Sequence, residues 1–172
     1  MVLRRWVGTN EKDIRRGRGT ASAGRPSTSS SVGPVRRAES RDAAAIAALL
    51  RELEYPSSVD QARTRLERIA VDPSTLVLVV ELDGEVAGFG ALHEQNLIER
   101  DEPGCECAGL VVGARFRRRG IGELLMAALE DEARKRGATH LVLNTAHRRA
   151  DAHAFYEAIG YEHTGRRYTK TF

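Results

Sequence analysis

Three consecutive arginines run into two glycines in the segment RRRGIG, Arg117 to Gly122. The apolar run 110–112 before it is typical of a strand, and residues 123–129 after it show helical periodicity. The first turn of a helix presents backbone N–H groups that lack an intrahelical partner, together with the positive end of the helix dipole. Because glycine has no Cβ to hold an anion away, this strand, turn and helix predict a phosphate site.

Two common nucleotide-binding motifs do not fit this segment. A dinucleotide fold requires a third glycine three residues after the second, and Leu125 occupies that position. The P-loop pattern G-x-x-x-x-G-K-S/T is absent from the chain. The anion predicted here therefore belongs to another class of ligand.

The elements that position this turn follow from the hydrophobic pattern. Ser40 or Asp42 is the expected N-cap of the first helix, and Asp83-Gly84 is a strong signal for a hairpin between two strands. Gly137 and Gly160 are the expected ends of the last two helices. The predicted strands are 34–39, 74–82, 85–94, 105–112, 139–145 and 161–172, and the predicted helices are 43–55, 58–71, 121–137 and 148–160.

The order of these elements predicts an α/β fold, more fully an α+β mixed sheet with helices on both faces. Strands 105–112 and 139–145 are joined through a helix, so we expect them to be parallel, with a right-handed crossover. The last strand, 161–172, is expected to form a short edge strand or hairpin. Its edge could pair with a second chain, which favours a homodimer.

Composition divides the chain of 172 residues into two parts. Residues 1–34 carry seven basic and two acidic residues and are rich in Gly, Ser and Pro, so we expect a disordered basic extension. Residues 35–172 suffice for one domain. The extension contains one aromatic residue, Trp6, and no interleaved stacking pattern, so binding of nucleic acid is not favoured.

The two cysteines, Cys105 and Cys107, lie on one face of a predicted strand, a spacing typical of neither a zinc site nor a ready disulfide. The histidines show no H-x-x-x-H spacing, so no metal site is expected. No run approaches the roughly 20 apolar residues of a membrane span. We therefore expect a cytoplasmic protein without a membrane partner.

Two motifs resemble the GNAT acetyltransferase superfamily. Arg117, Gly120 and Gly122 hold the positions of its R-x-x-G-x-G signature, and AHAFYEAIGYEHTG, residues 152–165, resembles its A-x-x-F-Y-E-x-x-G-F block with Tyr161 in place of Phe. The resemblance runs from residue 35 to the end of the chain. It implies a GNAT-like fold in which a splayed parallel strand pair admits acetyl-CoA as the cosubstrate.

The resemblance also implies which residues bind that cosubstrate. The glycine turn and helix start would bind the pyrophosphate, and a bulged strand near Leu110 to Val112 would bind the pantetheine through its backbone, with an N–H of Val111 or Val112 on the thioester oxygen. Arg118 and Arg119 contribute backbone N–H groups, and their side chains either guide the 3′-phosphate or face water. The implied set is Leu110, Val111, Val112, Arg117, Arg118, Arg119, Gly120, Ile121, Gly122, Glu123, Asn144 and Tyr156.

Acetyl transfer to an amine requires two proton movements. An alkylamine with a pKa of about 10.4 is mostly protonated at pH 7, so the site needs a proton acceptor, and the departing thiolate needs a donor. By resemblance the donor is Tyr156. Glu106 is the favoured acceptor, with a relayed water as the alternative; Glu81 and His93 are expected to border the acceptor cleft. Many relatives carry an acid where this chain has Gly109.

The predicted activity is acetyl-CoA-dependent N-acetylation of a small primary amine by direct attack on the thioester. Within the superfamily, RADAHAFY (149–156) and LDGEVAG (82–88) resemble the small-molecule aminoalkylphosphonate N-acetyltransferases. Four arginines would offer an anionic acceptor a partner. A protein N-acetyltransferase and a non-catalytic acyl-CoA-binding regulator stay as alternatives. The four arginines are Arg148, Arg149, Arg166 and Arg167.

Overall fold

A computed structural model describes residues 32–171 as a five-stranded mixed sheet with four α-helices. Neighbouring strands are antiparallel except for the last pair, β4 and β5, which are parallel. This confirms the predicted fold class. The strands, in sheet order, are β1 Val32–Arg37, β2 Thr75–Leu82, β3 Glu85–Gln95, β4 Gly104–Val112 and β5 Leu141–Leu143. The helices are α1 Ala43–Glu52, α2 Val59–Ala70, α3 Ile121–Lys135 and α4 Ala150–Ala158.

Strand β2 shows why helices cover both faces of the sheet. Leu78 and Val80 share a core cluster with Leu125 of α3, whereas Val77 and Val79 belong to a second cluster with α1 and α2. Successive side chains of a strand point to opposite faces, so a strand buried on both faces becomes a continuous apolar run. The run TLVLVV therefore reflects a strand between two helical layers.

Residues 1–31, most of the predicted extension, lie outside the described residues. Strand β1 begins at Val32, so residues 32–34 belong to the sheet and not to the extension. Asp83 and Gly84 both have positive φ angles, 54° and 80°, as the tight hairpin turn between β2 and β3 requires. Within residues 32–171, no helix is both long and apolar enough to cross a bilayer.

The predicted C-terminal strands differ from the structure. Strand β5 has only three residues, and residues 161–171 form no strand. Beyond the half-buried Tyr161, the side chains of that segment are all exposed, so no burial offsets the entropy of ordering a further strand. The prediction of a short edge strand or hairpin over 161–172 is therefore wrong for its described part, 161–171, which does not form the pairing surface expected for a homodimer.

Asp42 is buried beside Arg36, whose guanidinium donates to both carboxylate oxygens at 2.7 and 2.9 Å. It stands at the N-cap position of α1, as predicted, but its side chain accepts from the Glu39 N–H at 2.8 Å and caps no α1 amide. The Arg36 hydrogen bonds hold the pKa of Asp42 below its usual range. Asp42 therefore links the end of β1 to the start of α1.

We expect Asp42→Asn to lower the free energy of unfolding by about 2 kcal/mol at pH 7, less than for a fully buried pair because Arg36 keeps solvent contact. A depressed carboxyl pKa contributes stability above its unfolded value, and that stability is lost as the pH falls through the folded value. Urea unfolding should thus show a wild-type advantage that shrinks between about pH 5 and pH 2. Asp60→Asn, which removes an exposed pair with Arg63, serves as the control and should change stability by under about 0.5 kcal/mol.

Candidate active site

The cleft of the molecule opens where β4 and β5 separate. Cys105, Glu106 and Cys107 pair with the three residues of β5, and β4 then continues to Val112 beside β3 alone. The backbone of β4 beyond Cys107 therefore has an open edge on the β5 side. The splayed parallel pair expected from the resemblance is present.

A β-bulge lies at Ala108, at the mouth of this opening. Leu92 of β3 pairs with Cys107 and Ala91 pairs with Gly109, so Ala108 is the extra residue. The bulge lets Cys107 and Leu110 face the same core although they are three residues apart. We expected the bulge near 110–112, whereas the structure places it at Ala108, whose side chain is exposed.

The direction of the N–H groups in β4 selects which residues face the cleft. Gly113 donates to the Ala87 carbonyl in β3 at 2.9 Å, and successive N–H groups of a strand point to opposite sides. Val111 must therefore face β3, while Leu110 and Val112 face the open edge. The Val112 carbonyl confirms this direction, since it accepts from Arg117 Nε at 3.2 Å. Of the two predicted donors to the thioester oxygen, only Val112 points into the cleft.

The start of α3 presents a row of open N–H groups. No residue between 32 and 171 accepts a hydrogen bond from the N–H groups of 118–123, and the first helical bond is from Leu124 to the Gly120 carbonyl, at 3.0 Å. Arg118 and Gly120 have positive φ angles of 62° and 75°, which turn this backbone sharply into the helix. The predicted anion site thus has the donors it needs.

The side chain of Arg117 stabilises the loop and does not point freely at an anion. Besides its bond to Val112, its guanidinium lies 3.8 Å from Glu52 at the end of α1. Glu52 also accepts from the Ala114 N–H at 2.8 Å. Arg118 and Arg119, in contrast, are exposed, and no ion pair engages them among the described residues.

Gly120 and Gly122 are required for different reasons. A Cβ on Gly120 would meet nothing within 4 Å, so its positive φ is what favours glycine there. A Cβ on Gly122 would lie 3.1 Å from Cζ of Phe155 in α4. We expected Gly122 to let the helix amides reach the anion, and this stays a prediction; the structure adds that a Cβ at this position would crowd the ring of Phe155.

Tyr156 lies half-buried at the same opening. Its ring makes edge contacts with Phe155 and Tyr161, at centroid distances of 5.2 and 6.1 Å. Burial raises its pKa to about 12, and the nearby Cys107 thiol adds to that rise. Tyr156 packs against the same core cluster as Cys107, the last β4 residue paired with β5, and this places its ring beside the opening. No described residue accepts from its hydroxyl, which leaves that proton available.

Glu106 is held by two amide groups. Gln95 Nε2 donates to one carboxylate oxygen at 2.7 Å, and Asn144 Nδ2 donates to the other at 2.8 Å. Asn144 was predicted to bind the cofactor, and within the described residues its side chain instead orients Glu106. Glu81, expected to border the cleft, is instead paired with Arg36 in β1, away from β4 and β5. His93 does pair with Glu106 across the ladder between β3 and β4.

Two of the arginines considered as anion partners are already engaged. Arg148 forms an ion pair with Glu54, whose pKa it lowers, and Arg149 donates to the Leu53 carbonyl at 3.1 Å. These contacts join the end of α1 to the start of α4. Arg166 and Arg167 are exposed and make no ion pair with a described residue.

The two histidines near α4 contact each other and the neighbouring backbone. The rings of His147 and His153 are stacked with centroids 6.4 Å apart, and His153 Nε2 lies 3.2 Å from the Ala146 carbonyl oxygen. Within the described part of the chain, no group of three or more His, Cys, Asp or Glu side chains is arranged to hold a metal ion.

An open strand edge, unpaired amides at a glycine-led helix and a half-buried tyrosine are the features that the resemblance to acetyltransferases implied. The acetyltransferase (GNAT) family model matches residues 43–161. The chain is 33% identical over 141 residues to an aminoalkylphosphonate N-acetyltransferase of Salmonella typhimurium, covering 79% of this chain and 89% of that protein. It is 28% identical over 135 residues to an aminoglycoside N(6′)-acetyltransferase type 1 of Stenotrophomonas maltophilia, covering 77% and 88%.

Among solved structures, the fold is similar to an aminoglycoside N-acetyltransferase AAC(6′)-Iy in complex with CoA, with a TM-score of 0.74, 19% identity and coverage of 85% of this chain and 97% of that one. The chain belongs to the acetyltransferase (GNAT) family. It is an N-acetyltransferase, an enzyme class that takes its acetyl group from acetyl-CoA.

Proposed function

We propose that the enzyme transfers the acetyl group of acetyl-CoA to the primary amine of a small molecule by direct attack on the thioester. One observation supports this most strongly. Tyr156 packs in the same core cluster as Leu110 and Val112 of the open β4 edge, and its neighbour Phe155 contacts the start of α3 at Gly122, where the open amides lie. A site that only bound an acyl-CoA would need no proton donor beside the last residue pair of β4 and β5.

In this proposal the backbone binds the cosubstrate. The N–H groups of residues 118–123 take the pyrophosphate, where the helix dipole favours negative charge. The cleft-facing groups of Leu110 and Val112 bind the pantetheine, and the N–H of Val112 is the donor to the thioester oxygen as charge develops there. Arg118 and Arg119 are free to meet the 3′-phosphate at the rim, whereas Arg117 braces the loop.

Two side chains, Glu106 and Tyr156, accept and donate the protons of the reaction. Glu106 attracts the acceptor ammonium and takes its proton, and the neutral amine then attacks the thioester carbon. Tyr156 donates to the sulfur as the C–S bond breaks, and the second amine proton restores the tyrosine. Burial raises the pKa of the Cys107 thiol to about 11, so the thiol stays protonated and is a poor nucleophile. Transfer through an acetyl-cysteine is therefore disfavoured.

A small amine is the acceptor that the relatives and the site favour together. The two relatives compared above are named for aminoalkylphosphonates and aminoglycosides, and both kinds of molecule carry a primary amine. The carboxylate of Glu106 at the cleft suits an ammonium group. An anionic acceptor would find Arg166 and Arg167 available, since Arg148 and Arg149 are engaged by α1.

The test has two parts. In a thermal unfolding assay, acetyl-CoA and CoA should raise the midpoint while NADH should not; binding at 100-fold excess over Kd adds about 2.7 kcal/mol. A thiol-release assay then compares aminomethylphosphonate, 2-aminoethylphosphonate, kanamycin, spermidine and a lysine-containing peptide. We expect a small amine to accelerate thiol release at least tenfold over the peptide. Stabilisation by acetyl-CoA with no acceleration by any amine would support the regulator alternative instead.

A further inference from the structure

A chain of hydrogen bonds joins the start of β2 to the end of β3. The Thr75 hydroxyl, at the start of β2, donates to Asp72 Oδ2 at 2.8 Å. The same hydroxyl oxygen lies 3.0 Å from Nδ1 of His93 in β3. Asp72, Thr75 and His93, which we call the His93 relay, thus connect a carboxylate to an imidazole through one hydroxyl.

The relay determines which ring nitrogen of His93 carries the proton. Hydrogen bonds from Ser74 and Thr75 lower the pKa of Asp72, so this carboxylate is ionised and only accepts. A threonine hydroxyl has one proton, and here it goes to Asp72. Nδ1 of His93 must therefore donate to the Thr75 oxygen. In the neutral ring Nε2 is then the unprotonated nitrogen, free to accept a proton.

His93 lies next to the proposed proton acceptor. It is the register partner of Glu106 across the β3–β4 ladder, so both side chains are on the same face of the sheet, with Cβ atoms about 5 Å apart. Asp72 thus reaches the imidazole through Thr75, and Glu106 lies beside His93 on the neighbouring strand. Glu94 is engaged separately with Arg136. Within residues 32–171 no ion pair engages His93.

We propose that His93 is the final acceptor of the proton that leaves the substrate ammonium, receiving it from Glu106 directly or through one water. This inference rests on the proposed function. The ammonium loses one proton, which passes by Glu106 to Nε2 of His93 and gives an imidazolium. The second amine proton reaches the thiolate by way of Tyr156. One proton is thus released per turnover, and His93 returns it to solvent.

The physical reason is a match of proton affinities. Proton acceptors work best when their pKa lies near the operating pH, and imidazole is the side chain that ordinarily meets this at neutral pH. A carboxylate, with an ordinary pKa of about 4.3, is a much weaker base than an alkylamine of about 10.4, and an imidazole of about 6.5 holds the departing proton more readily. The Asp72 carboxylate, through Thr75, fixes the orientation of the imidazole ring, in the way that a third group orients the base in other relays.

A purely structural role makes a different prediction. Asp72 also accepts from the Ser74 N–H and hydroxyl at 2.9 and 2.6 Å, and these bonds hold the turn before β2 without His93. His93→Asn retains an amide that can donate to Thr75 but cannot titrate. Thr75→Val keeps the shape and removes both hydrogen bonds of the hydroxyl. Ser74→Ala weakens the turn and leaves the relay intact, so it is the matched control.

The experiment measures kcat/KM against pH from 5.5 to 9 with aminomethylphosphonate and with kanamycin, and the Kd of acetyl-CoA for each variant. At pH 7 we expect His93→Asn to lower kcat/KM about 100-fold and to lose the rise near the ordinary imidazole pKa, at unchanged Kd. Thr75→Val should lose about tenfold, while Thr75→Ser and Ser74→Ala stay within about twofold of wild type. Nitrogen-15 NMR of labelled histidine should show the Nδ1–H form of His93 in wild type and its loss in Thr75→Val.

The outcomes separate the two claims. If wild-type enzyme binds acetyl-CoA but acetylates none of the small amines of the thiol-release panel, the proposed function fails. If wild type turns over and His93→Asn keeps its rate and pH profile, only the role of His93 is overturned. Equal losses in Ser74→Ala and Thr75→Val, or an Nε2–H ring in wild type, also overturn it, because the turn alone would then account for the relay.

Discussion

Replacing Tyr156 by phenylalanine should lower kcat about 100- to 1,000-fold while leaving the Kd of acetyl-CoA within about twofold. The hydroxyl has no acceptor among the described residues, so its removal breaks no hydrogen bond in the free enzyme. Its proton is needed only when the C–S bond breaks. A loss confined to kcat is the sign of an interaction made in the transition state. Pre-steady-state thiol release and calorimetric titration with acetyl-CoA measure the two quantities.

The pH dependence follows from the raised pKa. Burial first, and the Cys107 thiol second, raise the pKa of Tyr156 to about 12, so it stays protonated through the alkaline range. Wild-type kcat should therefore show no decline below about pH 10, the ordinary tyrosine value. Tyr161→Phe is the control, since its ring also contacts the cluster but its hydroxyl donates to Glu130 at 3.1 Å. Equal losses in both variants would mean that aromatic packing, and not proton donation, explains the effect.

Local pattern was sufficient for most of the fold. The periods of helices and strands depend on which nearby residues are apolar. The turn at Asp83-Gly84 and the glycines that end α3 and α4 each depend on a positive φ angle at one or two residues. The segment from Val111 through Gly120 and Gly122 to α3 is likewise determined by residues that are close in sequence. These features were predicted from the sequence because each one is determined within a few residues.

The remaining features depend on contacts between distant segments. The bulge at Ala108 is determined by how β4 must alternate against β3, and β5 pairs with β4 alone among the described strands. Glu106 could be chosen from its position in the strand, but its amide partners come from two other segments, β3 and the end of β5. Cross-strand alternation from His93 to Gln95 is the one signal that could have indicated the first of these partners.

Gly122 is where the sequence and the structure give different reasons for the same residue, and the difference can be measured. Gly122→Val should weaken acetyl-CoA binding about 10- to 100-fold, corresponding to the 1–3 kcal/mol that overpacking costs. The new side chain collides with the Phe155 ring, which lies 3.1 Å from the Cβ position. Because Tyr156 follows Phe155 in α4, kcat should fall as well. Arg118→Ala, which leaves the backbone donors in place, should weaken binding less than about threefold.

A double variant distinguishes the two reasons. Phe155→Leu removes the ring atoms Cζ and Cε2 that a Cβ on residue 122 would meet at 3.1 and 3.3 Å, and it keeps an apolar side chain in the core. If Gly122→Val acts by displacing α4, adding Phe155→Leu should restore most of the affinity, and calorimetry on the four proteins gives the coupling energy. If the valine instead blocks the anion, the two losses should simply add. Rescue would show that the second glycine of the signature positions the proton-donating helix, while Gly120, with its positive φ, shapes the phosphate-binding turn.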